Sequence, residues 1–146
     1  MAKRTILVVE DTAEIREVWR RVLTGAGFHV LQAGDGADGV EQARQHQPDL
    51  ILMDITLPVL DGISAVQELK ADAETAHVPV IFVSGDAFAA RRARAVGGGA
   101  FLSKPVRAAE LLSTIMRTLA DGEHRGEWKV KRRVVDRAAD KSPIKT

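Results

Sequence analysis

The chain has 146 residues, of which 45% are hydrophobic and 28% charged, and its formal net charge is +1 at pH 7. This length fits one domain with a modest extension, and the composition excludes wholesale disorder. Cysteine is absent, which excludes disulfides and thiolate-bound metals. No apolar run is long enough for a signal-peptide core or a membrane span, so we expect a soluble protein in the cytoplasm.

Strand-like and helix-like segments alternate five times along the chain. Runs rich in Val, Ile, Leu or Phe predict buried strands, and apolar residues at helical spacing predict the helices between them. The predicted strands are 5–9, 29–32, 50–53, 80–83 and 100–103. The predicted helices are 12–24, 36–45, 62–71, 87–96 and 108–119. This alternation predicts an α/β fold with a parallel sheet and helices on both of its faces.

Cap and stop signals mark several of these helix ends. Thr12 and Asp61 stand where the N-cap residues of the first and third helices are expected. Gly25 and Gly27 are expected to end the first helix, and the three glycines at 97–99 are expected to end the fourth.

Polar residues follow four of the predicted strands at the point where each strand ends. They are Glu10 and Asp11, Asp54, Ser84 and Lys104. Ligands of open α/β sheets bind at the carboxyl ends of the strands, so we expect these side chains to converge in one cleft. Three carboxylates, a hydroxyl and an ammonium group can together hold a hard cation and a phosphoryl group.

Each of these residues also has an ordinary structural interpretation. Glu10 and Asp11 either bind a divalent cation or form a solvated acid pair that caps the first helix. Asp54 is either a nucleophile for a phosphoryl group or an acid that caps a loop. Ser84 and Lys104 either contact a phosphoryl group or are ordinary turn residues.

Other catalytic patterns do not compete with this cluster. The four histidines do not have the spacing of metal ligands. The chain has no P-loop, no GxGxxG that opens a helix and no GxSxG nucleophile elbow. Pro105 follows Lys104 directly, and a cis prolyl bond there would aim the lysine side chain inward.

Four stretches occur in order at the strand ends: ILVVED, LILMDITLPVLDG, VIFVSGD and GAFLSKP. Together they resemble the receiver domain of two-component response regulators, over about residues 5–119. The resemblance implies a flavodoxin-like, doubly wound parallel sheet of five strands in the order 2-1-3-4-5, with five helices. It implies a receiver domain over 1–120, followed by a basic extension over 121–146 with no separate output domain.

The resemblance also implies a role for each residue of the cleft. Asp54 is the implied phosphoacceptor. Glu10, Asp11 and Asp54 are the implied carboxylates around Mg²⁺, together with the backbone carbonyl of Thr56. The hydroxyl of Ser84 and the ammonium group of Lys104 are expected to contact the phosphoryl group.

A conformational switch is implied by the same resemblance. Its expected members are Ser84, Phe101 and Pro105, with Phe101 standing where many relatives have tyrosine. Thr56 and Asp86 flank the expected path of a hydrolytic water, so we expect them to tune the lifetime of the phosphoryl group.

The implied function is that of a single-domain response regulator. A histidine kinase or a histidine phosphotransfer protein would supply the phosphoryl group. Output would go to a downstream protein through the fourth helix, fifth strand and fifth helix. The protein would not be a conventional enzyme, because it would catalyse only its own phosphorylation and slow dephosphorylation. We expect a monomer or a phosphorylation-dependent dimer, and no membrane partner.

Three alternatives remain open from the sequence. One is a receiver-like binding module that works without phosphorylation. Another is a receiver fragment of a larger hybrid kinase or transcription factor. A third is a Mg²⁺-dependent phosphohydrolase, which is disfavoured because Thr56 stands where a second acid would be expected.

The segment 121–146 has eight basic and five acidic residues. Its KVKRR run could contact nucleic acid electrostatically. However, no reading helix and no second basic patch accompany that run, so the sequence does not favour DNA binding. The pattern fits a strand and a helix equally, and the structure of the segment stays open.

Overall fold

A computed structural model of the chain describes residues 3–125. Its five parallel strands form one sheet in the order β2-β1-β3-β4-β5. The strands are β1 (Thr5–Val9), β2 (His29–Ala33), β3 (Leu50–Asp54), β4 (Val80–Ser84) and β5 (Ala100–Ser103). The helices are α1 (Ala13–Gly25), α2 (Gly36–His46), α3 (Gly62–Ala71), α4 (Ala90–Ala95) and α5 (Ala108–Arg125). The predicted flavodoxin-like fold and its strand order are confirmed.

The sheet separates two hydrophobic clusters. Successive side chains of a strand point to opposite faces, so Leu7 and Val9 enter one cluster and Ile6 and Val8 enter the other. Helices α2, α3 and α4 cover the first cluster, whereas α1 and α5 cover the second. Because both faces are covered, β3 and β4 are buried along their whole length and β1 is buried after Thr5, as expected for a parallel sheet.

Two helices differ from their predicted bounds by more than one residue. The fourth was expected as one helix over 87–96, but a 3₁₀ turn over Ala87–Ala89 precedes α4. The Asp86 carboxylate accepts a hydrogen bond from the Phe88 amide, which stabilises this tighter first turn. The fifth was expected to end at Leu119, but α5 continues to Arg125, because one internal glycine, Gly122, is tolerated within a helix.

The two predicted N-caps have different outcomes. Asp61 caps α3 as expected, since its carboxylate accepts a hydrogen bond from the Ser64 amide. Thr12 occupies the N-cap position of α1, but its side chain makes no capping hydrogen bond. Instead, the Thr12 amide donates to the carboxylate of Glu10.

A glycine at the start of α3 permits this helix to begin close to the end of β3. A Cβ atom at Gly62 would overlap the carbonyl oxygen of Asp54 and approach the Cα of Ile55 to 2.8 Å. Only a residue without a side chain therefore lets α3 begin this close to the end of β3.

No helix within residues 3–125 combines the length and the apolar character that crossing a membrane requires. The interpretations of the basic extension beyond Arg125 lie outside the described residues.

Candidate acidic site at the carboxyl edge of the sheet

Three carboxylates converge where β1 and β3 end. Strands β1 and β3 are neighbours with Val9 opposite Met53, which places the next residues, Glu10 and Asp54, side by side. One carboxylate oxygen each from Glu10, Asp11 and Asp54 lie within 4.8 Å of one another. The expected convergence of these acids is therefore present in the structure.

Two of these acids are removed from water. Glu10 is fully buried and Asp54 is 3% exposed, whereas Asp11 is exposed. A buried ionised carboxylate needs a compensating charge or hydrogen bonds. Lys104 and two backbone amides meet this requirement.

Lys104 supplies the compensating positive charge. Its Nζ lies 2.9 Å from Oε1 of Glu10 and 3.0 Å from Oδ2 of Asp54. Burial lowers the pKa of Lys104, but its hydrogen bonds and charge pairing with the two carboxylates outweigh burial, and the pKa is raised overall. The ammonium group therefore stays charged at neutral pH and bridges the ends of β1 and β3.

Backbone amides complete the hydrogen bonding of the two buried acids. The Thr56 amide donates to Oδ1 of Asp54 at 3.1 Å, and the Thr12 amide donates to Oε2 of Glu10 at 2.9 Å. Glu10 thus orders the turn before α1 while it also belongs to the acidic cluster. The capping part of the ordinary interpretation is therefore present, but Glu10 is buried and does not belong to a solvated acid pair.

Ser84 and Lys104 are brought together by their backbones. The Lys104 amide donates to the carbonyl oxygen of Ser84 at 2.9 Å, and the Lys104–Pro105 peptide bond is cis. The Ser84 side chain is fully buried, and its Oγ accepts a hydrogen bond from the Asp86 amide at 3.0 Å. The hydroxyl group is therefore tied to the loop after β4.

The other expected members of the site lie at its margins. Thr56, Asp86 and Pro105 are exposed. Phe101 is half-buried against the cluster beneath α2, α3 and α4, and it pairs with Phe82 across β4 and β5.

Two residues of α1 also contact the site, although the sequence did not single them out for it. Arg16 Nη1 donates to the carbonyl oxygen of Glu10 at 2.7 Å. The Nζ atom of Lys104 lies 5.9 Å from the ring centroid of Trp19. Helical spacing indicates only that Trp19 lies on the apolar face of α1, and it carries no information about which distant side chain the indole meets.

The donor set fits a hard divalent cation. Carboxylate oxygens are the ligands that Mg²⁺ prefers, and the exposure of Asp11 leaves one side of the cluster open to solvent. Glu10, Asp11 and Asp54 could therefore hold such an ion, and the charge of the ion would offset their mutual repulsion.

The fold and the site together define a class of protein: an open, parallel α/β sheet with a lysine-bridged acidic cluster at its carboxyl edge. The sequence profile of the response regulator receiver domain matches residues 6–116. The chain belongs to this family.

Individual relatives agree with this assignment. The polar-differentiation response regulator DivK of Brucella anthropi is 34% identical over 120 residues, which are 81% of this chain and 98% of DivK. The receiver domain of a sensor histidine kinase of Pseudomonas aeruginosa, solved with a magnesium ion coordinated in its active site cleft, is 34% identical with a TM-score of 0.77. The likeness covers 82% of this chain and 99% of that domain.

A chemotaxis protein has the same fold. CheY4 of Vibrio cholerae is 27% identical with a TM-score of 0.76, over 80% of this chain and 99% of that protein.

Proposed function

We propose that Asp54 accepts a phosphoryl group from a phosphohistidine of a histidine kinase or a histidine phosphotransfer protein. The observation that carries this proposal is the position of Lys104 Nζ, which contacts Glu10 and Asp54 at 2.9 and 3.0 Å. A charged donor between two buried acids suits a site where additional negative charge arrives. The magnesium ion in the cleft of the Pseudomonas aeruginosa receiver domain supports the same reading.

The chemistry is an in-line displacement at phosphorus. A carboxylate oxygen of Asp54 attacks, an acyl phosphate bond forms, and the bond between phosphorus and the donor imidazole breaks. Lys104 provides a positive charge beside the reacting carboxylate, and the Thr56 amide orients it from the other oxygen. Mg²⁺, held by Glu10, Asp11, Asp54 and the carbonyl of Thr56, would supply further positive charge to the phosphoryl oxygens.

The signal would pass through Ser84 and Phe101. The Ser84 hydroxyl accepts a hydrogen bond from the Asp86 amide, and its O–H can also donate to a phosphoryl oxygen, which would draw the side chain toward the acidic site. A displacement of Ser84 would change the packing beside Phe101 and next to Pro105. The surface of α4, β5 and α5 would then differ between the two states, and a downstream protein would recognise that difference.

Thr56 and Asp86 would tune how long the phosphoryl group persists. Both side chains are exposed at the rim of the site, where a hydrolytic water would approach. A phosphoryl group that decays at the same rate in Thr56→Ala and Asp86→Ala as in the parent would refute this role.

The proposed setting is a cytoplasmic two-component pathway, with a monomer or a phosphorylation-dependent dimer as the acting form. The family relationship to DivK and CheY4 supports this setting. A receiver-like module that binds partners without phosphorylation is the competing proposal. Such a module would work without a phosphoryl group on Asp54, so a test for phosphorylation of Asp54 separates the two proposals.

The test is the intact mass of the protein after incubation with acetyl phosphate, with Mg²⁺ and with EDTA in its place. We expect one phosphoryl adduct that requires Mg²⁺ and is absent from Asp54→Asn. Asp61→Asn is the matched control, because Asp61 is an exposed acid that only caps α3, and this variant should retain the adduct. A folded parent protein that takes up no phosphoryl group would overturn the proposal and favour the phosphorylation-independent module.

A further inference from the structure

Lys104 has a third neighbour besides its two carboxylates. Its Nζ lies over the indole ring of Trp19, 5.9 Å from the ring centroid. Trp19 lies on α1, is 6% exposed and belongs to the cluster covered by α1 and α5. A buried aromatic ring of the core therefore borders the charged site directly.

The position of the ring follows from the alternation of β3. Leu50 and Leu52 point into the cluster that contains Trp19, and Asp54 is the next residue with the same orientation. Asp54 therefore faces the α1 side of the sheet. The Lys104 ammonium group hydrogen-bonds to Asp54 and therefore lies on that side as well, next to the face of the Trp19 indole ring.

The electrostatics of this contact are favourable. The face of an indole ring is negative, and it attracts a cation most strongly where water is excluded. The Lys104 side chain is 25% exposed, so solvent screens the contact only in part. Neutralisation of the carboxylates by a bound cation weakens their attraction for Nζ, whereas the attraction of the ring is unchanged.

We propose that Trp19 is a positioning residue that holds the Lys104 ammonium group at the acidic site. The ring limits the motion of Nζ away from the sheet edge when the carboxylates engage other charges. The contact between Trp19 and Lys104 stands on the geometry alone, whereas its effect on phosphoryl uptake rests on the proposed function. Two measurements keep these parts distinguishable.

The first measurement is a double-mutant cycle in urea unfolding with Trp19→Leu and Lys104→Met. We expect the two substitutions to be non-additive by roughly five-fold in the unfolding equilibrium constant, as for a partly desolvated cation–π pair. The control cycle combines Lys104→Met with Phe28→Leu. Phe28 is an aromatic residue of the same cluster, but it precedes β2 and so lies at the opposite edge of the sheet. This control should be additive.

The second measurement is the rate of phosphoryl uptake from acetyl phosphate at saturating Mg²⁺. Trp19→Leu should lower the rate by roughly five-fold, and Trp19→Phe should restore part of it, because a phenyl ring keeps a weaker negative face. Phe28→Leu also truncates the core but should leave the rate unchanged. A general loss of packing would slow both leucine variants alike.

Additivity in the first cycle would overturn the proposal. If Trp19 and Lys104 are coupled in the cycle but Trp19→Leu slows phosphoryl uptake no more than Phe28→Leu does, the positioning role is overturned. If the parent protein takes up no phosphoryl group at all, the proposed function fails, and the cycle alone decides whether Trp19 holds Lys104.

Discussion

At the residue scale, the acidic site depends on compensation of buried charge. Glu10 and Asp54 are both buried. Lys104 contacts both, although it lies 94 residues from Glu10 and 50 residues from Asp54 in sequence. Removal of Lys104 would leave two close carboxylates with only amide donors. The lysine therefore serves the stability of the cleft as well as its proposed chemistry.

Val59 adopts an unfavourable backbone conformation in the loop between β3 and α3. Its φ angle is 69°, and the Leu60 amide donates to the Pro58 carbonyl oxygen at 2.7 Å across it, which closes a three-residue turn. A β-branched residue is strained at positive φ. The side chain is 82% exposed, so burial compensates little of that strain.

We expect Val59→Gly to raise the free energy of unfolding by about 1 kcal/mol. Glycine removes a strain of about 1–3 kcal/mol, and its greater freedom in the unfolded chain offsets about 0.5–1 kcal/mol. Urea unfolding monitored by circular dichroism measures the difference. Val59→Ala is the control, because it keeps Cβ and should gain less. A glycine variant less stable than the parent protein would contradict this account.

At the element scale, glycines at helix starts set how closely the helices approach the strand ends. Gly36 begins α2, and a Cβ there would overlap the Leu60 carbonyl oxygen. Gly62 begins α3, and a Cβ there would overlap the Asp54 carbonyl oxygen. The loop that carries Thr56 is therefore packed tightly against the starts of α2 and α3. Because its position is fixed, the Thr56 amide can hold the Asp54 carboxylate in one orientation.

We expect Gly62→Ala to lower the free energy of unfolding by about 3 kcal/mol, because the added methyl group meets backbone atoms that cannot turn away. Gly25→Ala is the matched control. Gly25 also lies in a helix, but a Cβ there meets nothing within 4 Å, so stability should stay the same or rise slightly. Thermal unfolding of both variants measures the contrast, and equal effects would refute the steric explanation.

At the scale of the whole molecule, the site exists only in the folded state. Its carboxylates come from the ends of β1 and β3, and its lysine comes from the loop after β5. An ion that binds this assembled set binds the unfolded chain far less. Binding of a metal ion at this site would therefore be coupled to folding through the sheet.

We expect Mg²⁺ to stabilise the protein by about 1.4 kcal/mol when present at ten times its dissociation constant. Differential scanning calorimetry in MgCl₂, against NaCl of equal ionic strength, measures this effect. EDTA should abolish it, and Asp11→Asn should weaken it while leaving the two buried acids in place. Equal unfolding temperatures in both salts would contradict a cation site at the cluster.

The order of strands and helices could be predicted from the sequence because each element carries a local signal. Apolar runs define β1, β3 and β4, and their polar ends predict the edge of the sheet that holds the site. The bounds of α3 and β5 agree with the prediction residue for residue. The end of α5 was missed because a single glycine is a weak stop signal inside an otherwise helical pattern.

The sequence by itself determined the residue types of the site and the sheet edge at which they meet, since alternation and strand ends are properties of neighbouring residues. Only the tertiary structure decided which groups touch. The bridge from Lys104 to Glu10 and Asp54, the indole of Trp19 beneath it and the close start of α3 at Gly62 depend on distances between segments far apart in the chain. Those distances arise from packing of the whole sheet, and no local pattern encodes them.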